Sequence, residues 1–409
     1  MKHVPELELC GICSRSAEGA REFGERYGID PAHRYVGIHA LAHAEDIDAV
    51  YIATPNTVHA AQAVAMLESG KHVLVEKPAA VSAKELGHMT AAAKRNGKIL
   101  MEAMMPLYTP AFAVAKRLIR NIAPVRCATL SYRQYSSRYD ALKQGKVENA
   151  FNPELGGGAL TDLGVYCAAV AEGLFGTPHR IGAEAMFLET GVDGLGSASL
   201  MYNGMMADLT YSKICDGARG AEICGEEGVI TLDSVSRPRY VTLRLRYDGD
   251  RLDLERFDIK RLDDAALASI ELGADGHTPS DAVQPLPTMT HELRHFVHLV
   301  EHGSVQLAGF DLAHTEGVAA ILDGIAHCCD IKHGAKKFIL ARVIAQRSNF
   351  DILAPVIPLR TKSQKPIFVP FSGRRLSAAP DAQNNNINPD ARMLLHSLSV
   401  GILYFATSP

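Results

Sequence analysis

The sequence predicts an α/β protein in two parts: a doubly wound parallel sheet, then an α+β domain carried on a large, mostly antiparallel open sheet. Three observations support this. From Leu7 to Met101, short apolar runs alternate with amphipathic helical stretches, as in a parallel sheet with helices on both faces. From about Pro124, strand-like runs succeed one another directly, as in an antiparallel sheet. The length of 409 residues, 47% apolar and 22% charged, suffices for two ordinary cores and a tail. We place the domains at residues 1–106 and 107–333. Residues 334–409 remain an unassigned tail, with Pro-, Asn- and Ser-containing stretches typical of loop or disorder.

Leu7–Cys13 is short and mostly apolar, suited to a buried strand. Ser16 can cap the next helix, whose Ala20, Phe23 and Tyr27 form one stripe and whose stop is Gly28. A short strand near Arg34–Val36 precedes the buried strand Asp48–Ala53, and Thr54-Pro55-Asn56 turns out of it. The following helix stops at Gly70, before strand His72–Val75 and the tripeptide Glu76-Lys77-Pro78. Ser82 and Glu85 make a capping box for a helix ended by Gly97, and Lys98–Met101 is a further strand. In doubly wound sheets ligands sit beyond the carboxyl ends of the strands, which is where these polar residues fall.

In the second part, Val125–Tyr135, Ile181–Leu188, Ala198–Tyr211, Ala221–Gly225, Val229–Leu232 and Tyr240–Tyr247 read as strands. Asp248-Gly249 reads as a hairpin turn into Arg251–Phe257. Thr290 caps a helix ended by Gly303, and Asp311–Cys329 is the last good helix. Between the first two strands lies Gly156-Gly-Gly-Ala-Leu-Thr-Asp162-Leu-Gly-Val-Tyr166, running into an apolar helix. The glycines permit positive φ and close backbone approach. Asp162 and Tyr166, four residues apart, project from one helical face. Two readings are open: a core Tyr whose hydroxyl the Asp satisfies, or an acid and a phenol aimed together at a reaction centre.

A formal net charge of −4 gives no reason to expect nucleic acid or an anionic membrane as partner. No apolar run approaches the roughly 20 residues that span a bilayer, and the start, Met-Lys-His-Val-Pro-Glu, has no signal-peptide core. Eight cysteines are too sparse for a disulfide scaffold. Cys10 and Cys13 lack a second ligand pair at zinc spacing, so no metal is expected and the thiols read as those of a cytoplasmic protein.

Ser14-Arg15 follows the first strand, where a dinucleotide's adenosine ribose would lie. An Arg there suits the 2′-phosphate of NADP more than NAD; the plainer reading is a solvated turn residue. Thr54, Pro55 and Asn56 with His59 form a polar turn able to line that cofactor. Lys77, directly after a buried strand, is costly unless its ammonium meets a partner. A cation there can lower the pKa of a nearby phenol and orient a carbonyl.

The strings Ala53-Thr-Pro-Asn56-x-x-His59, Gly70-Lys-His-Val-Leu-Val-Glu-Lys-Pro78, Met101-Glu-Ala-Met104 and Gly156 to Tyr166 resemble those of the Gfo/Idh/MocA oxidoreductases, over about residues 6–332. The resemblance implies a Rossmann-type domain, then an α/β domain whose open sheet often makes a homodimer or larger interface. It implies hydride transfer between NAD(P) and the hydroxyl or carbonyl carbon of a sugar, polyol or dihydrodiol-like substrate. By the same resemblance Lys77 is the site lysine, and Glu76, Lys77 and Pro78 abut the nicotinamide. Tyr166 is the proton donor and acceptor, and Asp162 positions substrate or Tyr. Arg133 and Arg138 become candidate substrate contacts.

Two features depart from that pattern. The family opens with one more strand and a Gly-x-Gly-x-x-Gly loop, for which the six residues before Leu7 have no room. Residues from about 334 match nothing in it. The absent strand belongs between those ending at Cys13 and Ala53, which predicts two unpaired inner edges, an unstable first domain and poor dinucleotide binding. Lys337–Ala345 is a conceivable substitute. The alternative function is then a non-catalytic or decayed remnant that keeps the substrate pocket and binds no cofactor.

Overall fold

Apolar runs bounded by capping and turn residues form two sheets in the computed structural model, which describes residues 3–247, 251–258, 289–302, 305–331 and 401–407. In the first sheet β1 (Leu7–Ser14) leads through α1 (Ala17–Tyr27) to β2 (Arg34–Val36) and α2 (Ile38–Ala42). Then follow β3 (Ala49–Ala53), α3 (His59–Glu68), β4 (His72–Glu76), α4 (Ala83–Asn96) and β5 (Leu100–Ala103). β1 pairs with β2, β3 with β4 and β4 with β5, all parallel. All five residues of β3 are buried, so it carries no polar alternation. The expected caps are present: Ser16 accepts from the Gly19 N–H, Ser82 from the Glu85 N–H, and Gly28 and Gly97 end their helices at φ +70° and +60°.

The second part begins with α5 (Pro110–Leu118), β6 (Val125–Arg133), α6 (Tyr139–Lys143) and α7 (Val165–Phe175). β7 (Arg180–Phe187), β8 (Asp193–Tyr202), β9 (Met205–Ser212), β10 (Ala221–Gly225), β11 (Gly228–Leu232), β12 (Tyr240–Tyr247) and β13 (Arg251–Asp258) follow. The eight strands lie in the order β13-β12-β11-β10-β6-β9-β8-β7, antiparallel except for β6 beside β9. Leu130, Leu200, Leu209, Ile223 and Ile230 share one core with Val165, Ala168 and Val170 of α7. The helices α8 (Met289–His302) and α9 (Val305–Cys328) complete this part, α9 packing on α7, α4 and β7. The run Ala198–Tyr211 is two strands, not one: Asn203-Gly204, with Gly204 at φ +80°, turns β8 back into β9. One stretch, Pro153–Phe175, has the length and composition of a membrane span, but it carries Glu154, Asp162 and Glu172 and most of its apolar window is buried within the fold. The Asp248-Gly249 turn and Gly303 lie outside the described residues.

The slot expected to stand empty is filled. β14 (Gly401–Thr407) lies between β1 and β3 and runs antiparallel to both, giving the order β2-β1-β14-β3-β4-β5. It pairs Thr407 with Leu7, Ile402 with Cys13 and Gly401 with Ala53. Two inner edges therefore do not face each other unpaired. Gly-Ile-Leu-Tyr-Phe-Ala-Thr is a continuous apolar run opened by glycine, a sequence compatible with a strand covered on both faces. The stretch read as an irregular tail thus supplies a strand, while Lys337–Ala345 lies outside the described residues.

Candidate active site

Two turns meet, and a buried acid braces each. At the end of β4, Glu76 accepts from the Tyr51 hydroxyl and, at 3.2 Å, from the Lys77 N–H; the Lys77–Pro78 peptide is cis. The next backbone N–H, of Ala79, donates to buried Glu102 of β5 at 2.8 Å. From the second part comes the glycine turn, with Gly156 at φ +72° and Gly158 at φ +141°. A Cβ on Gly158 would lie 2.1 Å from Oδ1 of Asp193, so that carboxylate can approach only a glycine. Asp193, 0% exposed, accepts from the Leu160 N–H at 2.6 Å and so holds the start of the π-helical turn Leu160–Gly164 that leads into α7. Burial pushes both Glu102 and Asp193 up to about 7, against the pull of those backbone N–H groups. The amide of Asn56 ties the turns together, donating to the Gly156 carbonyl at 3.0 Å.

Where they meet, Lys77 donates to Oδ1 of Asp162 at 3.0 Å and to the Asp162 carbonyl at 3.0 Å. A second lysine, Lys213, donates to Oδ2 of Asp162 at 2.6 Å. Lys77 Nζ also lies 4.8 Å from the centre of the Tyr166 ring. Asp162 therefore does not satisfy the Tyr166 hydroxyl, which makes no hydrogen bond to a described residue. Asp162 is set deep among protein atoms, yet 44% of its side-chain surface is open, so it lines a recess. Burial opposes its charge, but Lys77 and Lys213 overturn that and hold the carboxyl far below the usual range. Burial likewise opposes the charge of Lys77; the facing Tyr166 when ionised, with Asp162 and Glu76, raises it well above an ordinary lysine. For Tyr166 burial wins. It is pushed up to about 12, and the downward pull of Lys77 only moderates this, so Lys77 does not bring the phenol below its ordinary value.

Residues 1–104 match the NAD-binding Rossmann-fold domain of the GFO_IDH_MocA oxidoreductase family, and residues 112–231 match its C-terminal domain. Over 303 residues the chain is 41% identical to the scyllo-inositol 2-dehydrogenase (NADP(+)) IolU of Bacillus subtilis (strain 168), spanning 74% of this chain and 84% of that one. The chain belongs to the Gfo/Idh/MocA oxidoreductase family. It is also 30% identical over 232 residues to the trans-1,2-dihydrobenzene-1,2-diol dehydrogenase of Xenopus tropicalis, spanning 56% of this chain and 67% of that one. Among solved structures, a 3-ketoreductase from Actinomadura kijaniata in complex with NADP and TDP-benzene matches at a TM-score of 0.62 and 25% identity, over 78% of this chain and 89% of that one. The protein is accordingly a Gfo/Idh/MocA oxidoreductase with an NAD(P)-binding domain.

The residues present suit the two ends of such a cofactor. Arg15 is exposed at the carboxyl end of β1, beside Ser14. Thr54, Pro55 and Asn56 line the same edge half-exposed, with the Lys77–Pro78 turn beside them. The pyrophosphate of a Rossmann cofactor ordinarily rests on a glycine turn that follows the central strand. Here β14 runs the other way, its Thr407 end lying beside Leu7, away from that edge.

Three expected contacts fall elsewhere. His59 is buried, with Nδ1 2.9 Å from the Pro78 carbonyl and Nε2 2.8 Å from the Thr54 carbonyl, so it braces the two turns and has no ring nitrogen to offer a ligand. Arg133 alternates with Tyr132; since Tyr132 packs 5.6 Å from Tyr166, Arg133 points to the opposite face, against Ser131 and Gly217. Arg138 is paired with Glu148 at 3.4 Å. Conversely, Lys213, Asp193, Glu102 and Tyr132 also gather here, and of these only Glu102 falls within a motif read from the sequence. Like Lys77, Lys213 stands at the end of a strand, one whose residues alternate in burial.

Proposed function

We propose that the chain is an NADP-preferring dehydrogenase of a cyclic polyol such as scyllo-inositol, with Tyr166 exchanging the hydroxyl proton. The observation that carries this is the gathering of Lys77, Asp162 and Tyr166 at the carboxyl edge of the first sheet, within a family whose 41% identical member is a scyllo-inositol 2-dehydrogenase (NADP(+)). A bound nicotinamide would supply the hydride acceptor. Tyr166 hydrogen-bonds the reacting hydroxyl; as the phenolate it takes that proton in oxidation, and as the phenol it returns it in reduction. Lys77 stays charged and offsets negative charge as it develops on either oxygen, and Asp162 fixes the direction of Lys77. A neutral substrate suits the remaining donors: Arg138 is already paired, Arg133 faces away, and the two lysines share Asp162. The preference for NADP rests on Arg15. A cytoplasmic homodimer assembled through the open sheet, with domains divided near residues 106 and 333, belongs to the same proposal.

A second reading, a remnant that binds no cofactor, draws on the reversed direction of β14 at the pyrophosphate slot. Titrating NADPH fluorescence with the full chain separates the two, followed by NADPH formation from NADP+ and scyllo-inositol at 340 nm. Saturable binding with turnover supports the dehydrogenase; a flat titration supports the remnant.

A further inference from the structure

We infer that Lys213 is a positioning residue of this site: by taking one oxygen of Asp162, it leaves the charge of Lys77 available to Tyr166. The inference rests on the dehydrogenase reading above. Lys213 directly follows β9 and is 1% exposed. A buried ammonium is costly unless its hydrogens are met. Here Nζ donates to Oδ2 of Asp162 at 2.6 Å and to the Ala150 carbonyl at 3.2 Å, and lies 5.0 Å from the centre of the Phe151 ring.

The consequence is electrostatic. One carboxylate facing one lysine would largely cancel that lysine's field at a phenol beside it. Two ammonium groups on a single carboxylate leave a net positive charge, and Lys77, the member above the Tyr166 ring, carries it toward the phenol. The other titratable groups around the cluster are Glu76, Tyr51 and Glu102 of the first sheet, His59 of α3, Tyr132 of β6 and Asp193 of β8. Of these, Glu76 opposes ionisation of Tyr166 most, so the surplus cation matters most as the phenol loses its proton.

The test is the pH profile of scyllo-inositol oxidation with NADP+ for Lys213→Met, Lys213→Gln and Lys213→Arg. Lys213→Gln retains a donor for the Ala150 carbonyl and guards against a Met variant that does not fold. For Met and Gln, kcat is expected to fall about ten- to a hundredfold. The limb that reports loss of the Tyr166 proton should move up by about one pH unit, with KM little changed. Lys213→Arg should restore most of both. Lowered turnover with the limb unmoved would make Lys213 merely structural and overturn the inference alone. Absence of turnover in the unaltered chain would overturn the dehydrogenase reading itself. A readout independent of activity is urea unfolding of Lys213→Met, Asp162→Asn and the double variant. If the pair acts as a unit, the double variant loses little more than Lys213→Met; strictly additive losses overturn the pairing.

Discussion

The eight-stranded sheet is assembled largely from hairpins and near neighbours in the chain, β7 to β8 to β9 and β10 to β11 to β12 to β13. The six-stranded sheet instead takes the strand between β1 and β3 from the far end of the sequence. Local pairing closes short loops and is specified by turn residues such as Asn203-Gly204. A distant strand must close a long loop before any of its hydrogen bonds forms. The sheet that carries Arg15 and Lys77 is therefore the more vulnerable one, although the turns that bear the site are braced alike. Glu102 holds the backbone after Lys77 and Asp193 holds the backbone before Asp162, each buried.

The sharpest way to break this comparison is to delete residues 401–407. We predict that amide hydrogens of Leu7–Ser14 and Ala49–Ala53 lose their protection while those of β8 and β9 keep theirs. Undiminished protection in β1 and β3 would show that β14 is not their partner. Next in size is Gly158→Ala, which meets Asp193 and a left-handed backbone; it should cost about 3 kcal/mol in urea unfolding. Gly182→Ala, with open space around its Cβ, should cost less than about 0.5 kcal/mol. Comparable losses at the two glycines would remove the brace from the argument.

Arg15→Ala tests the cofactor end of the first sheet. Losing one charge-assisted contact should weaken NADP+ binding by about 1.5–3 kcal/mol and leave NAD+ nearly unchanged. Equal weakening of both would place Arg15 away from the 2′-phosphate.

A pH-dependent effect concerns the braces. Because folding raises the Asp193 carboxyl to about 7, its protonated form is the one the fold favours. Its contribution to stability is full below the unfolded carboxyl value near pH 4 and is lost as pH rises toward 7. Asp193→Asn should remove that slope, by at most about 1.4 kcal/mol per pH unit, while still accepting from Leu160. Urea unfolding of both proteins at pH 5 and pH 7 checks this, and Glu102→Gln is the matching experiment in the first sheet. Parallel stabilities at the two pH values would mean Asp193 stays ionised in the fold.

What could be read from the chain follows the same division. Lys77, Asp162 and Tyr166 were legible because each stands beside a local sign: the end of an apolar strand, or a glycine bend opening a helix. Lys213 was hidden because β9 alternates buried with partly exposed residues, so the lysine after it lacks the continuous buried run that marks Lys77. Arg133 was misassigned because a long strand was read without its alternation; Tyr132, one residue earlier, faces Tyr166. β14 was missed for a different reason. An apolar heptapeptide can be recognised as strand-like, but the gap it fills is defined by residues at the other end of the chain.

The central claim is that Tyr166, beside Lys77 and Asp162, exchanges the substrate proton. The most direct measurement is kcat for NADP+-dependent scyllo-inositol oxidation by Tyr166→Phe, taken with the Kd for NADPH. The account predicts a kcat lower by about 10²–10⁴-fold with a Kd close to that of the unaltered chain. Turnover by the Phe variant near the native rate would contradict it.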